Sequence, residues 1–219
     1  MRADCDGECV EVAGVTVRYA GRPPVLALSG VSLCLQPGVS LLCGPSGAGK
    51  STLLRVLAAL QPPDRGAVRY PWGGPVQARI GYVPQENRLA RGLSCEDALR
   101  YLAGVRGLPC GRADVSALLA RWGLEGVRRS PLCRLSSGEA RRWLLAQSQL
   151  LDPDLWLLDE PLCGLDAWAL ATLRAELARY AHPTTPAARR YAVVASHDPR
   201  LDDLATRVWR LERAQIASP

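Results

Sequence analysis

The chain has 219 residues, 48% of them hydrophobic and 22% charged, with a formal net charge of +6. This length and composition are typical of one large or two small globular domains with a substantial core. The sequence has no apolar run of about 18 residues or more, and Met1 to Asp6 lack the apolar core of a signal peptide, so we expect neither a membrane-spanning helix nor export. The basic residues are spread without aromatic interleaving, which indicates a solvated surface, and we expect no nucleic-acid binding.

Eight cysteines are scattered through the sequence without a regular spacing. They are Cys5, Cys9, Cys34, Cys43, Cys95, Cys110, Cys133 and Cys163. Without an export signal, we expect these thiols to be reduced. Cys5 and Cys9 could form half of a metal site, but no second pair follows and the chain has only two histidines, so this interpretation is not favoured.

Two strands are predicted near the N-terminus. Residues 10–19 alternate in polarity, and residues 25–35 form a second strand after the turn at 21–24. These two strands predict an antiparallel β layer packed on the core that the following residues form. Tyr19 ends the first strand, and taken alone it is an ordinary strand aromatic.

Residues 44–52 match the pattern G-x-x-x-x-G-K-[ST]. A short apolar strand is predicted before them at 39–43, and residues 53–60 have helical character. In this context glycines let main-chain N–H groups surround a polyphosphate, and the helix N-terminus adds positive charge. Lys50 can then reach the β- and γ-phosphates, and the Ser51 hydroxyl can bind Mg²⁺.

Lys50 is the only lysine among 27 basic residues, the others being arginine. A compact, flexible ammonium differs from the planar guanidinium group in shape and in hydrogen bonding. A single lysine at this place therefore indicates chemistry that arginine cannot supply.

Short strands and helices follow the first helix. The predicted elements are strands at residues 67–70 and 79–83 and helices at residues 95–106 and 114–122. We interpret residues 86–152 as a helical subdomain inserted into a single domain. Its β layer and nucleotide-binding core then consist of residues 1–85 and 153–219.

Polar residues lie at the ends of two further predicted strands. The buried strand at 155–158 runs into Asp159 and Glu160, and the strand at 191–195 runs towards His197. Ligands of α/β sheets bind at such carboxyl ends, so Asp159 is placed to bind Mg²⁺ and Glu160 to orient or activate a water.

Helix caps account for several other polar residues in this half of the chain. Ser136 and Glu139 form a capping box before a helix predicted at 140–151, and Asp166 caps a helix at 167–180. Asp198 and Pro199 begin another helix. A last strand is predicted at residues 206–211.

In this order, the motifs resemble the nucleotide-binding domain of ATP-binding-cassette (ABC) transporters over nearly the whole chain. The phosphate loop alone occurs in many NTPases. The segment from Leu135 to Glu139, directly upstream of residues 155–161, is far more specific, and Gln85 and His197 complete the set. The resemblance implies an α/β fold: a P-loop NTPase core with an N-terminal antiparallel β layer and an inserted helical subdomain.

The resemblance also implies ATP and Mg²⁺ as ligands and a role for each site residue. Tyr19 would stack on adenine, and the phosphates would be held by Gly44, Pro45, Ser46, Gly47, Ala48, Gly49, Lys50, Ser51 and Thr52. The implied catalytic residues are Glu160 as base, His197, Gln85 and Lys50, and the implied Mg²⁺ contacts are Ser51, Gln85 and Asp159. Ser136, Ser137 and Gly138 would complete the ATP site of a second copy, and Asp166 would lie at the dimer seam.

The implied function is ATP hydrolysis in a subunit that drives a separate transmembrane permease. Two such subunits, identical or different, would enclose two ATP molecules, on the cytoplasmic face of the membrane. Residues 79–109 are similar to the branch that serves drug, polysaccharide and cytochrome-biogenesis exporters, which favours export over import.

Two positions depart from the usual LSGGQ signature of the family, namely Ser137 and Glu139. Serine at 137 costs about 1 kcal/mol if that position needs a positive φ. Glutamate at 139 adds a charge near phosphates but strengthens the capping box. Because the other site residues are present, we expect an active ATPase.

Other functions share the phosphate loop. A translation factor of this fold resembles two fused cassettes, and this chain has one. A DNA-maintenance enzyme carries a long coiled coil or zinc modules between the phosphate loop and the signature, and the segment between them is too short for that here. A phosphate-loop kinase would not need residues 135–139 or His197. A binding module without turnover is disfavoured by Glu160.

Overall fold

The computed structural model describes residues 9–87, 89–150, 152–181 and 189–217. The strands in these ranges are β1 (Val10–Tyr19), β2 (Val25–Leu35), β3 (Gly38–Cys43), β4 (Arg65–Arg69), β5 (Ile80–Val83), β6 (Leu155–Asp159), β7 (Tyr191–Ala195), β8 (Arg207–Glu212) and β9 (Gln215–Ile216). The α-helices are α1 (Lys50–Leu57), α2 (Cys95–Val105), α3 (Arg112–Arg121), α4 (Ser137–Ser148) and α5 (Ala167–Ala181).

The larger sheet has six strands in the order β5-β6-β7-β3-β8-β9. Neighbours pair in parallel from β5 to β8, and β9 is antiparallel to β8. The carboxyl ends of β3, β6 and β7 therefore meet at one edge. The fold thus brings together the residues that follow Cys43, Leu158 and Ala195. Ligands of open α/β sheets bind at this edge.

Strand β6 is buried along its whole length and separates two hydrophobic cores. Leu155 and Leu157 pack in the core shared with the N-terminal sheet and α1. Trp156 and Leu158 pack in the core shared with α2 to α5. Successive side chains of a strand point to opposite faces, so a continuous apolar run fills both cores.

The N-terminal sheet has three antiparallel strands in the order β2-β1-β4. The predicted antiparallel β layer of β1 and β2 is confirmed, and β4 joins it on the other side of β1. The extent of the inserted helical subdomain at residues 86–152 stays a prediction.

The prediction that all cysteines are reduced is wrong for two of them. Cys9 and Cys34 form a disulfide, with Cα atoms 6.0 Å apart, although 25 residues separate them in sequence. The antiparallel pairing of β1 with β2, which sets Glu11 opposite Cys34, brings the thiols together. Cys9 is thus not a free ligand for a metal, and Cys5 lies outside the described residues.

Two helices begin about one turn earlier than predicted. Helix α1 starts at Lys50 directly after Gly49, and α4 starts at Ser137 directly after Ser136. The prediction followed the apolar periodicity, but the first turn of each helix is formed by small and polar residues after the cap. Both helices therefore begin inside the motifs and not behind them.

Within the described ranges, none of the helices has the length and apolar character needed to cross a membrane.

Candidate nucleotide-binding site

The loop between β3 and α1 depends on glycine at two positions. Gly44 has φ 151°, and a Cβ there would lie 2.1 Å from the Leu211 carbonyl oxygen. Gly49 has φ 105°, and its Cβ would lie 2.3 Å from the Ala27 carbonyl oxygen. Since main chain cannot yield as a flexible side chain can, only glycine fits at either place. The loop is thus held tightly against β2 and β8.

The Lys50 side chain folds back over this loop. Its ammonium group donates to the carbonyl oxygens of Gly44 at 2.7 Å and Pro45 at 3.2 Å. Those two contacts place the charge at the start of the loop, where a phosphate on the main-chain N–H groups would meet it.

A cavity of about 340 Å³ opens beside the loop. Its lining residues are Tyr19, Val25, Ala27, Ser46, Gly47, Gly49, Lys50, Ser51, Thr52, Arg55, Gln85, Asp159 and Glu160. The structure therefore brings Tyr19, most of the loop, Gln85 and both carboxylates to one place. Gly44, Pro45 and Ala48 belong to the same loop but are not among the lining residues.

Tyr19 stands at the wall of this cavity with its hydroxyl group engaged. The hydroxyl donates to Oε1 of Gln61 at 2.7 Å and lies 3.2 Å from Oγ1 of Thr52. These contacts link the end of β1 to the first turn of α1 and to Gln61 beyond the end of that helix, and they hold the ring beside the loop.

Asp159 ends β6 and is only 2% exposed. Burial raises the pKa of Asp159, although a hydrogen bond with the Ser51 side chain acts in the opposite direction. A second cavity, of about 370 Å³, is also lined by Ser51, Gln85 and Asp159. A buried carboxylate beside a hydroxyl and an amide offers the oxygen ligands that Mg²⁺ prefers. The residues present therefore fit this metal.

Glu160 follows in a left-handed backbone conformation, with φ 45°. Its N–H donates to the Ala195 carbonyl oxygen at 2.9 Å, so β6 stays tied to β7 beyond its last residue. Such a conformation is uncommon outside glycine and is frequent at functional sites. Here it turns the carboxylate towards the end of β7.

Two side chains from the end of β7 hold the Glu160 carboxylate. Nδ1 of His197 lies 3.2 Å from Oε1, and the Ser196 hydroxyl donates to Oε2 at 3.4 Å. Because a carboxylate only accepts, Nδ1 is the donor in the first contact. His197 is 83% exposed in its side chain and Glu160 only 14%, so the carboxylate is the more buried member of the pair.

The corner at Ser136, Ser137 and Gly138 does not line this cavity. Ser136 is the N-cap of α4 and forms the predicted capping box with Glu139. The Ser136 N–H and hydroxyl both donate to Oε2 of Glu139, at 2.8 and 2.7 Å. These hydrogen bonds lower the pKa of Glu139, so its carboxylate is ionised at neutral pH. Ser137 lies in the helix without a positive φ, so the cost considered for serine does not arise.

The segment containing Asp166 passes next to this corner. A Cβ on Gly138 would lie 3.0 Å from the Gly164 carbonyl oxygen, so glycine permits the close approach. Asp166 accepts from the Ala169 N–H at 2.7 Å, which confirms the predicted cap of α5. The corner and Asp166 thus share one surface, separate from the cavity lining.

Several residues at the site were not predicted from the sequence. Val25, Ala27 and Arg55 line the cavity, and Ser196 contacts Glu160. Ser196 could have been noticed, since it lies between a buried strand and His197. The other three carry no sequence pattern that distinguishes them from ordinary strand and helix residues.

The sequence matches the family model described as ABC transporter over residues 28–163. It is 38% identical to the cytochrome c biogenesis ATP-binding export protein of Cupriavidus necator, over 79% of this chain and 80% of that protein. It is also 38% identical to the zinc import ATP-binding protein of Pseudomonas fluorescens, over 78% of this chain and 62% of that protein.

Solved structures confirm the predicted fold class. A dimeric ATP-binding cassette in a post-hydrolysis state with ADP and phosphate superposes with a TM-score of 0.80, at 23% identity, over 95% of this chain and 97% of that chain. An ATP-binding subunit of an ABC transporter has a TM-score of 0.78, at 24% identity, over 96% of this chain and 88% of that chain. The match to the family model and the identity to the curated relatives show that the chain belongs to the ABC transporter family, as one of its ATP-hydrolysing subunits.

Proposed function

We propose that this chain hydrolyses ATP with Mg²⁺ in the cavity beside residues 44–52, and that a dimer of such subunits drives a separate transmembrane permease as an exporter. The observation that carries the proposal is the meeting of Lys50, Gln85, Asp159 and Glu160 in one cavity of about 340 Å³. The site lies on the cytoplasmic face of the membrane in this proposal, where ATP is available.

Residues 44–52 hold the triphosphate in this proposal, with main-chain N–H groups on the phosphate oxygens and Lys50 on the β- and γ-phosphates. Tyr19 stacks on the adenine ring. The hydrogen bond from the Tyr19 hydroxyl to Gln61 supports this role, because a ring that is already held at the cavity wall loses little conformational entropy on binding.

Ser51, Gln85 and Asp159 would hold the Mg²⁺ ion, Asp159 through water. The ion would neutralise charge on the β- and γ-phosphates. The pKa of Asp159, raised by burial, supports this assignment, because a cation at that point would offset the cost of a buried carboxylate.

Glu160 acts as the base. Its carboxylate accepts a proton from a water molecule whose oxygen attacks the γ-phosphorus, and the bond between that phosphorus and the bridging oxygen breaks to leave ADP. Ser196 and His197 orient the carboxylate, and His197 contacts the γ-phosphate.

Ser136, Ser137 and Gly138 bind the γ-phosphate of the ATP held by the opposite subunit, and Asp166 lies at the seam between the two. The exposed surface that this corner shares with the Asp166 segment supports this arrangement. The two subunits are either identical or different in this proposal.

Glu139→Gln should raise the rate of ATP hydrolysis about fivefold. The carboxylate of Glu139 would lie near the γ-phosphate bound by Ser136, and removing a repulsion of about 1 kcal/mol favours the closed dimer. Glutamine still accepts from the Ser136 N–H, so the cap is kept. Phosphate release and ATP-driven dimerisation measure the effect, with the exposed Glu125→Gln as a charge-matched control. An unchanged or lower rate in Glu139→Gln contradicts the repulsion.

Purified protein should release phosphate from ATP only when Mg²⁺ is present, and chelation with EDTA should stop the reaction. Co-expression with a polytopic membrane protein encoded beside it should give a detergent-stable complex with altered ATPase activity. Hydrolysis without any such complex would indicate a non-transport ATPase of the same fold. Absence of ATP binding would overturn the whole proposal.

The export direction is supported by the exporter relative and is opposed by the importer at equal identity. Inside-out vesicles that carry the complex decide between them, because added ATP reaches the cytoplasmic face directly. An exporter accumulates its cargo in the vesicle lumen when ATP is supplied, as measured by mass spectrometry of the contents. ATP-dependent loss from the lumen would indicate import.

A further inference from the structure

Arg141, in the second turn of α4, is a buried charge that pairs directly with no carboxylate of the described residues, although the charges of Asp159 and Glu160 act on it at longer range. Its residue is 2% exposed, and among the described residues it forms no ion pair. Its Nε atom is buried and has no hydrogen-bond partner in the part of the chain that the structure describes. Burying a guanidinium is costly unless its hydrogen bonds are made, so the contacts that Arg141 does form call for an explanation.

Those contacts go to two consecutive main-chain carbonyls. Nη1 of Arg141 donates to the Pro84 carbonyl oxygen at 2.7 Å, and Nη2 donates to the Gln85 carbonyl oxygen. Pro84 directly follows β5, and Gln85 lines both cavities at the site. One planar fork thus holds the main chain from which Gln85 enters the site.

The same side chain joins two segments that are far apart in sequence. Arg141 belongs to the helix that begins at Ser137, behind the Ser136 cap. A second contact runs in parallel, since the Asn87 side chain donates to the Ser137 carbonyl oxygen at 3.1 Å. The chain around Gln85 and the start of α4 are therefore attached to each other at two points.

We propose that Arg141 is a positioning residue for Mg²⁺-dependent hydrolysis, which acts by fixing the main chain at Pro84 and Gln85 and so the place of the Gln85 side chain in the site. The inference rests on the proposed function, because it needs Gln85 to act on Mg²⁺ or on the attacking water. Through α4, the position of Gln85 is also tied to the Ser136 corner.

A double-mutant cycle between Arg141→Met and Gln85→Ala tests the proposal. Arg141→Met keeps the apolar stem but removes both donors. We expect it to lower kcat by about 10-fold and to raise by a similar factor the Kd of Mg²⁺, measured by titration calorimetry with a non-hydrolysable ATP analogue bound. In the Gln85→Ala background, Arg141→Met should change either quantity by less than about twofold, because the two substitutions abolish the same function.

Arg142→Met is the matched control. Arg142 is the next residue of α4 and also donates to two consecutive carbonyls, those of Trp122 and Gly123, at 3.4 and 3.2 Å. These carbonyls lie at the end of α3, away from the cavity lining. Arg142→Met should therefore leave the Mg²⁺ dependence unchanged, whatever it does to the melting temperature.

Three results overturn the proposal: an equal loss from Arg141→Met in the Gln85→Ala background, the same Mg²⁺ shift in Arg142→Met, or no shift in Arg141→Met. If Arg141→Met does not fold, Arg141→Lys replaces it in the cycle, since an ammonium keeps the charge but cannot span two carbonyls. Wild-type protein without Mg²⁺-dependent hydrolysis would instead count against the proposed function itself.

Discussion

Glu160→Gln should reduce steady-state ATP hydrolysis by about 100-fold or more, because a general base contributes roughly 10²- to 10⁴-fold. The amide has nearly the shape of the carboxylate and can still contact Ser196 and His197, but it cannot accept a proton from water. ATP affinity should change little, because the phosphate loop and Lys50 are untouched. Phosphate release measures the first effect, and fluorescent-nucleotide titration measures the second.

The same variant should accumulate as an ATP-bound dimer, because hydrolysis is the step that separates the two subunits in the proposed cycle. Size-exclusion chromatography with ATP and Mg²⁺ detects this species, and the exposed Glu125→Gln serves as the control with unchanged activity. Hydrolysis by Glu160→Gln at the wild-type rate would remove Glu160 from its assigned role. If ATP affinity fell as much as the rate of hydrolysis, Glu160 would have a role in ATP binding and not in the chemical step.

Lys50→Arg should weaken ATP binding by about 100-fold, although it preserves the charge. The ammonium of Lys50 fits against two carbonyl oxygens at the start of the loop, at 2.7 and 3.2 Å. A guanidinium is larger and planar, and it cannot occupy that place and reach two phosphates from it. Losing such charge-assisted contacts costs roughly 2 to 3 kcal/mol, which corresponds to the expected change in Kd.

Arg69→Lys provides the reverse exchange at an exposed position, where Arg69 pairs with Glu11 on the N-terminal sheet. It should leave ATP affinity and melting temperature close to those of the wild type, because surface ion pairs contribute little. Isothermal titration with ATP and Mg²⁺ compares the variants. Wild-type affinity in Lys50→Arg would show that charge alone, and not the shape of the ammonium, is needed at this position.

Local pattern predicted most strands well. The alternation at residues 10–19 and the apolar run at 191–195 have the same bounds as β1 and β7. The agreement is good because burial of one or both faces of a sheet determines which positions of a strand are apolar. The starts of α1 and α4 were predicted less accurately, whereas those of α2 and α5 agree with the structure. The first turns of α1 and α4 lie in the glycine-rich loop and the capping box, where the apolar period has not yet begun.

The sequence by itself determined the chemistry of the phosphate loop, the two acids after β6 and the cap at Ser136, because each depends on residues that are neighbours in the chain. Only the tertiary structure decided which distant residues meet. The pairing of β1 with β2 joins Cys9 to Cys34, and the packing of α4 on β5 buries Arg141 against the Gln85 main chain. The reason is physical: such contacts come from the register and packing of elements far apart in sequence, which no local spacing records.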